Sequence, residues 1–139
     1  MAYDTNNVFA RILRGEIPAH KVHEDEHTLA FMDVMPQAEG HTLVIPKHAA
    51  ENLFDLPPEA LTATILTTQR VARAVRKAFD APGIMIAQLN GQAAGQSVFH
   101  VHFHIVPRRA GIDLKFHSRE MADHALLASH AERVRAALE

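Results

Sequence analysis

Three histidines alternate with apolar residues in Phe99-His100-Val101-His102-Phe103-His104-Ile105, and what they can do depends on the backbone beneath them. On a β-strand successive side chains face opposite ways, so His100, His102 and His104 form one row and Phe99, Val101, Phe103 and Ile105 the other. Aromatic and β-branched residues favour a strand over residues 97–107, with Pro107 placed to end it. Two ligands suit a row of imidazoles, a metal ion or a phosphate. At about 3.3 Å per residue, neighbouring rings stand roughly 6.6 Å apart and the outer two roughly 13 Å apart. Zinc, which holds each nitrogen at about 2.0–2.1 Å, reaches two neighbours but hardly three. A phosphate with its substituents is longer and meets several rings in turn. The spacing favours phosphate.

The plain alternative, surface histidines on a half-exposed strand, is weakened by the loop in front of them. Asn90-Gly-Gln-Ala-Ala-Gly95-Gln96-Ser97 supplies glycines, amides and a hydroxyl. Glycines let backbone N–H groups approach an anion closely, and the amides add neutral donors. His102, with a neighbouring ring on either side, is placed to attack phosphorus. An imidazole with a pKa near ~6.5 is largely neutral at pH 7, provided its other nitrogen donates to an acceptor that fixes the tautomer. His104 and Ser97 are the donors best placed for phosphate oxygens or the leaving atom. Gln96 and loop N–H groups suit the non-bridging oxygens. The sequence offers no acidic cluster for Mg²⁺, and this chemistry calls for no metal or other cofactor.

Further elements must hold this centre. Residues 7–14 carry Val8, Phe9, Ile12 and Leu13 at helical spacing, stopped by Gly15. Residues 20–25 and 28–33 read as a hairpin, in which Leu29, Phe31 and Asp33 share a face, an odd place for a carboxylate on a purely core surface. A strand runs from His41 to Ile45, and Pro46 terminates it. Pro57-Pro58 opens the longest helix, running to about Phe79 with a stripe of Leu61, Ile65, Ala72, Val75 and Phe79. Residues 84–89 form a strand leading to Asn90. Arg108-Arg109-Ala-Gly111 is a basic turn set close to the histidines, either screening a polyphosphate or standing in solvent. Residues 118–138 read as a carboxy-terminal helix with Leu127, Val134 and Leu138 on one side.

Composition bounds the rest. The 139 residues suit one domain, and 47% apolar content is enough for a core. With 14 basic and 16 acidic residues dispersed along the chain, no basic stripe points to a nucleic-acid polymer. The absence of cysteine excludes disulfides and thiolate metal sites. The amino terminus lacks a cationic start and a long apolar run, which predicts a soluble, cytoplasmic protein without a membrane segment. Of the eleven histidines, His20, His23, His27, His117, His124 and His130 read as surface residues.

Gly95-Gln-Ser-Val-Phe-His-Val-His-Phe-His-Ile-Val-Pro107 resembles the signature of the histidine-triad (HIT) nucleotide hydrolases and transferases, His-x-His-x-His followed by two apolar residues. The likeness extends to Phe31-Met-Asp33-Val-Met-Pro-Gln-Ala-Glu-Gly-His41-Thr-Leu-Val-Ile-Pro46 and to Phe9-Ala-Arg-Ile-Leu-Arg-Gly-Glu-Ile-Pro18, covering roughly residues 5–110. It implies an α+β fold, an antiparallel sheet with one long helix and a carboxy-terminal helix, in a single domain over residues 1–139 that pairs as a homodimer. It implies that Phe9, Ile12, Phe31, Val34 and Leu43 wall a nucleoside and that Asp33 accepts the ribose hydroxyls. Gly95, Gln96 and Ser97 then meet the phosphate side, and Asn90 fixes the loop or meets the ribose and phosphate. His102 matches the nucleophile position, and His100 and His41 match orienting positions. The third histidine stands where the transferase branch has glutamine, so His104 favours hydrolysis. Lys47-His48 matches a place where some of these proteins hold zinc with an amino-terminal cysteine pair. Here that region is Asp4-Thr-Asn-Asn7, so the zinc is not carried over and His48 reads as a surface or packing residue.

The function expected from this is hydrolysis at the α-phosphate of purine nucleotide conjugates (of AMP or GMP), of the adenosine 5′-phosphoramidate type, through a nucleotidyl-histidine. Two alternatives stand beside it. Ile-Val-Pro-Arg108-Arg-Ala-Gly111 resembles the fragile-histidine-triad branch, which implies dinucleoside polyphosphate hydrolysis. A pocket kept without turnover would make the chain a nucleotide-binding scaffold.

Overall fold

The computed structural model describes residues 2–112 and 121–139. Asn7 opens helix α1 (Val8–Leu13) by accepting the Ala10 N–H at 2.9 Å, and Gly15 ends it at φ +78°. Strands β1 (Lys21–Glu24) and β2 (Thr28–Met32) make a hairpin. Its turn is held by the Asp25 carboxylate, which accepts from the His27 and Thr28 N–H groups, each at 2.8 Å. Strand β3 (Thr42–Pro46), helix α2 (Pro58–Ala78), strand β4 (Gly83–Gln88), strand β5 (Phe103–Arg108) and helix α3 (His124–Ala137) follow. The strands form one antiparallel sheet in the order β1-β2-β3-β5-β4. This is the α+β architecture expected from the sequence.

Alternation divides the sheet into two apolar faces. Ala30, Met32, Val44, Phe103 and Ile105 pack against Val71, Val75, Leu127 and Val134 of α2 and α3. Leu29, Phe31, Leu43 and Ile45 pack on the opposite side against Phe9 and Ile12 of α1. Both sides of β2 and β3 are covered, so all their residues are buried. Among the described residues no helix is long and apolar enough to cross a membrane.

Several sequence expectations need correction. The strand predicted over residues 97–107 begins only at Phe103 and runs through Pro107 to Arg108. Pairing with β3 stops at Ile105, so Pro107 lies beyond the point where a second neighbour would require its N–H. The buried face of α2 is Thr64, Thr67, Thr68, Val71, Ala74 and Val75, whereas Ile65 is 44% exposed. Threonine can be buried here because each hydroxyl finds a partner: Thr64 donates to Ala60 O, Thr68 to Thr64 O, and Thr67 pairs with Thr28 at 2.8 Å. Helix α3 starts at His124, capped by Asp123, and the expected start at Ser118 lies outside the described residues, as does His117. His130 is no surface residue; it is buried edge-on to Phe79, with ring centroids 5.1 Å apart.

One glycine is fixed by two constraints at once. Gly40 sits at φ +88°, and a Cβ there would lie 2.8 Å from the Phe79 ring. Gly40→Ala is expected to destabilise the fold by about 2–4 kcal/mol, through left-handed strain and overpacking, as read by denaturant unfolding.

Candidate active site

The chain enters β5 through an irregular segment, and this rearranges the histidine row. Only His104 lies within the strand; His100 and His102 precede it. Side-chain and backbone groups of that segment bond elsewhere: the Val101 N–H donates to Ala50 O at 2.9 Å, and His102 Nδ1 donates to the His100 carbonyl at 2.7 Å. The rings therefore do not stand at strand spacing. The centroids of His102 and His104 are 4.9 Å apart, while His100 is fully buried.

The hydrogen bonds assign every proton on these rings. A backbone carbonyl can only accept, so His102 carries its proton on Nδ1 and its lone pair on Nε2. Among the described residues no protein group engages that Nε2, and no fully buried side-chain nitrogen or oxygen lacks a partner. His102 is 5% exposed, and the Nε2 edge is therefore the part that reaches solvent. His100 donates from Nε2 to Pro46 O at 2.8 Å, which leaves Nδ1 as an acceptor for the Tyr3 hydroxyl. His41 accepts the Gln37 N–H at Nδ1, 3.0 Å away, so its proton sits on Nε2. From there it donates to His104 Nδ1 at 2.9 Å, with the Asp33 carboxylate 3.5 Å away. His104 must then carry its own proton on Nε2. One ring offers a lone pair, and its neighbour offers a proton.

Burial supports these neutral states. It lowers His41 to about 3, and His100 and His104 to about 4, with neighbouring imidazoles adding to the effect. Burial lowers His102 as well, opposed by its bond to the His100 carbonyl. The same burial raises Asp33 to about 6, against the pull of the Met35 N–H that it accepts.

The other predicted site residues fall into three groups. Phe9, Ile12, Phe31 and Leu43 form one apolar cluster, and Phe9 stands edge-on to His102 with centroids 4.9 Å apart. Val34 does not join them; it packs against the helix-side core. Gln96 and Asn90 brace the loop rather than point from it. Gln96 accepts the Gly91 N–H and donates to Glu51 O and Val98 O. Asn90 accepts the Leu53 N–H and exchanges two bonds with Gln88. Gly95 supplies a left-handed turn at φ +102°, and Ser97 is exposed on a cleft of about 340 Å³ shared with Asp4, Asn7 and Glu51. The backbone N–H groups of Ser97, Val98 and Phe99, which unlike His100 are not fully buried, have no protein acceptor among the described residues, whereas the Gln96 amide is consumed.

Arg108 and Arg109 line a cavity of about 600 Å³ with His41, but not with His102 or His104. Arg108 pairs with Gly83, whereas His104 pairs with Ala87 four positions away along β5. Arg109 donates to the Phe79 and Asp80 carbonyls, capping the end of α2.

Asp33, His41 and His104 place possible ligand atoms within 4.8 Å of one another. The tautomers argue against a metal there. With Gln37 N–H donating to Nδ1, His41 keeps its proton on Nε2, the atom an ion would need. The amino-terminal zinc arrangement fits no better, because the chain has no cysteine and His48 is exposed.

The model of the HIT domain matches residues 14–111. The chain belongs to the HIT family. Protein hit of Bacillus subtilis is 46% identical over 103 residues, 74% of this chain and 71% of that protein. The adenosine 5′-monophosphoramidase of Saccharomyces cerevisiae is 41% identical over 106 residues, 76% of this chain and 65% of that one. A crystal structure of a HIT-like protein involved in cell-cycle regulation from Bartonella henselae has a TM-score of 0.95 and 48% identity, covering 99% of this chain and 100% of that one. Sequence reasoning on this HIT domain missed Gln37, which acts through its backbone, and Tyr3, whose partner lies 97 residues away.

Asp33 and the buried histidines bend stability with pH in opposite directions. The native carboxyl holds its proton up to about pH 6 and the unfolded one only to about 3.8, so this group's contribution falls as pH rises through that window. Unfolded histidines protonate below about 6.5 while the native rings stay neutral to about 4, so theirs falls as pH drops below 6.5. Asp33→Asn is expected to stabilise the ligand-free protein by about 1–3 kcal/mol at pH 7.5 and roughly half as much at pH 5. Denaturant unfolding at the two pH values checks this, and an equal gain at both contradicts it.

Proposed function

We propose that this HIT protein hydrolyses purine nucleotide conjugates at the α-phosphate, of the adenosine 5′-phosphoramidate type, through a nucleotidyl intermediate on His102. The observation that carries the reading is the donation of His102 Nδ1–H to the His100 carbonyl, which leaves a lone pair on the solvent-reaching Nε2. In the first step Nε2 attacks the α-phosphorus and the amine leaves with the electrons of the phosphorus–nitrogen bond. The amine also needs a proton, and the His104 Nε2–H and the Ser97 hydroxyl are the donors at hand. In the second step water attacks the phosphorus, returns that proton and frees His102 and AMP. The N–H groups of residues 97–99 would take the charge that builds on the non-bridging oxygens. Phe9, Ile12, Phe31 and Leu43 offer the base an apolar surface, and Asp33 offers the ribose hydroxyls an acceptor. No step uses a metal or cofactor.

An amine leaving group suits this site better than a polyphosphate. A polyphosphate needs a cationic wall, and Arg109 is committed to the end of α2. The Saccharomyces cerevisiae relative is itself named a monophosphoramidase. Comparing kcat/KM for adenosine 5′-phosphoramidate and diadenosine triphosphate tests the choice. The phosphoramidate is expected to be the better substrate by at least about tenfold. His102→Gly is expected to abolish turnover of both while AMP still binds. A variant within about tenfold of wild type would remove His102 from the nucleophile role, and a wild-type protein that binds AMP without turning over either compound would be a scaffold.

The protein is further proposed to work in the cytoplasm as a homodimer joined along α2 and β4. Ile65, Leu66 and Ile86 are 44%, 58% and 44% exposed, and a groove of about 490 Å³ runs between that helix and strand. Exposed apolar residues on an edge strand and on the helix beside it call for a cover. Sedimentation is expected to show a dimer, reduced to a 15.4 kDa species by Ile86→Lys. A wild-type monomer at micromolar concentration contradicts the assembly.

A further inference from the structure

We propose that the Tyr3 hydroxyl is a positioning group for the nucleophile, acting through His100. The His100 ring is fully buried, and both nitrogens are committed. Nε2–H donates to Pro46 O at 2.8 Å, so Nδ1 can only accept. Among the described residues its donor is the Tyr3 hydroxyl, 2.5 Å away, with the two rings edge-on and their centroids 5.7 Å apart. Burial raises the Tyr3 pKa, which keeps the phenol protonated and able to donate. The segment that carries Tyr3 is itself tied down: Arg14 donates to Thr5 O at 2.6 Å, and the Asn7 N–H donates to Asp4 O at 3.2 Å.

The connection to His102 runs through one residue. The ring of His100 is what Tyr3 holds, and the carbonyl of His100 is what accepts the His102 Nδ1 proton. Without the phenol, a buried acceptor is left unpaired. His100 keeps its proton on Nε2, because moving it to Nδ1 would leave that N–H unpaired and set the Nε2 lone pair against Pro46 O; it responds by shifting its ring and backbone to bring Nδ1 to water. That shift loosens the carbonyl that fixes His102. A His102 ring no longer held at Nδ1 can place its proton on Nε2, and that tautomer has no lone pair to offer. The hydroxyl is thus three links from the reacting nitrogen: phenol, His100 ring, His100 carbonyl.

The consequence for turnover rests on the function proposed above, but the state of the two rings does not. The test is Tyr3→Phe in the full chain, which keeps the aromatic ring and removes only the donor. Nitrogen-15 NMR of the histidine rings is expected to show His100 as the Nε2–H tautomer and His102 as the Nδ1–H tautomer in wild type. In the variant the His100 Nδ1 signal should shift as that acceptor loses its donor, and a second tautomer should appear at His102. For adenosine 5′-phosphoramidate, kcat is expected to fall about tenfold, with KM and AMP affinity within about twofold. Unchanged ring signals overturn the proposal, even if kcat falls. Altered ring signals with unchanged kcat overturn it as well. If wild type turns over no phosphoramidate, the functional reading fails on its own, and the ring signals alone decide whether Tyr3 holds His100 and His102. Tyr3→Leu serves as the control for packing: a change in unfolding midpoint with ring tautomers kept as in wild type counts against the hydroxyl.

Discussion

The bond from His102 Nδ1 to the carbonyl of His100 is the constraint on which the centre depends. It needs two residues close in sequence to leave strand geometry, because within a regular strand that carbonyl would serve the ladder. The chain meets this by delaying β5 until Phe103 and by turning the approach into a segment pinned from outside, at Ala50, Glu51 and Pro46. The braces come from the last residue of β3 and from the stretch that follows it. The strand β5 thus positions His104, and the end of β3 with the loop after it holds the segment that carries the two histidines before it. Neighbouring rings end with opposite hydrogen-bonding character because each is governed by a different part of the fold.

Holding four histidines neutral in a buried cluster removes charge that would otherwise be solvated. Their ionised forms are penalised, and so is the ionised form of Asp33 beside them. A neutral ring cannot offset an ionised carboxylate as a cation would. The ionised carboxylate of Asp33 is therefore poorly compensated by its surroundings. Among the described residues its hydrogen bond is to the Met35 N–H, with His41 at a longer 3.5 Å.

How much of this could be read in the sequence depended on how local each signal was. The helix start at Asn7, the hairpin, the shared face of Leu29 and Phe31 in β2, and the presence of β3 follow from neighbouring residues and match the fold. The strict alternation from Phe99 to Ile105 misled for a local reason as well. The period is that of a strand, but the backbone N–H of Val101 and the side chain of His102 find acceptors that no pattern reveals. On α2 the hydrophobicity of single residues pointed to Ile65, whereas long-range pairing of Thr67 with Thr28 selects a threonine face for burial. Gln96 looked like an anion donor because its type allows it. Only the fold shows its amide consumed by backbone. Tyr3 carried no sequence signal at all.

The two edges of the sheet are finished differently. The β1 edge is short and irregular between Lys21 and His23, and Lys21 and Lys47 both reach Glu24 there. Arg135 of α3 donates to the Lys21 carbonyl, occupying an acceptor that an incoming strand would need. The β4 edge is longer and apolar, and among the described residues nothing pairs with it on its outer side. A sheet with one open edge and one blocked edge could grow only once. Were two copies to meet along β4, as proposed above, blocked strands would stand at both outer margins and the growth would end at a pair.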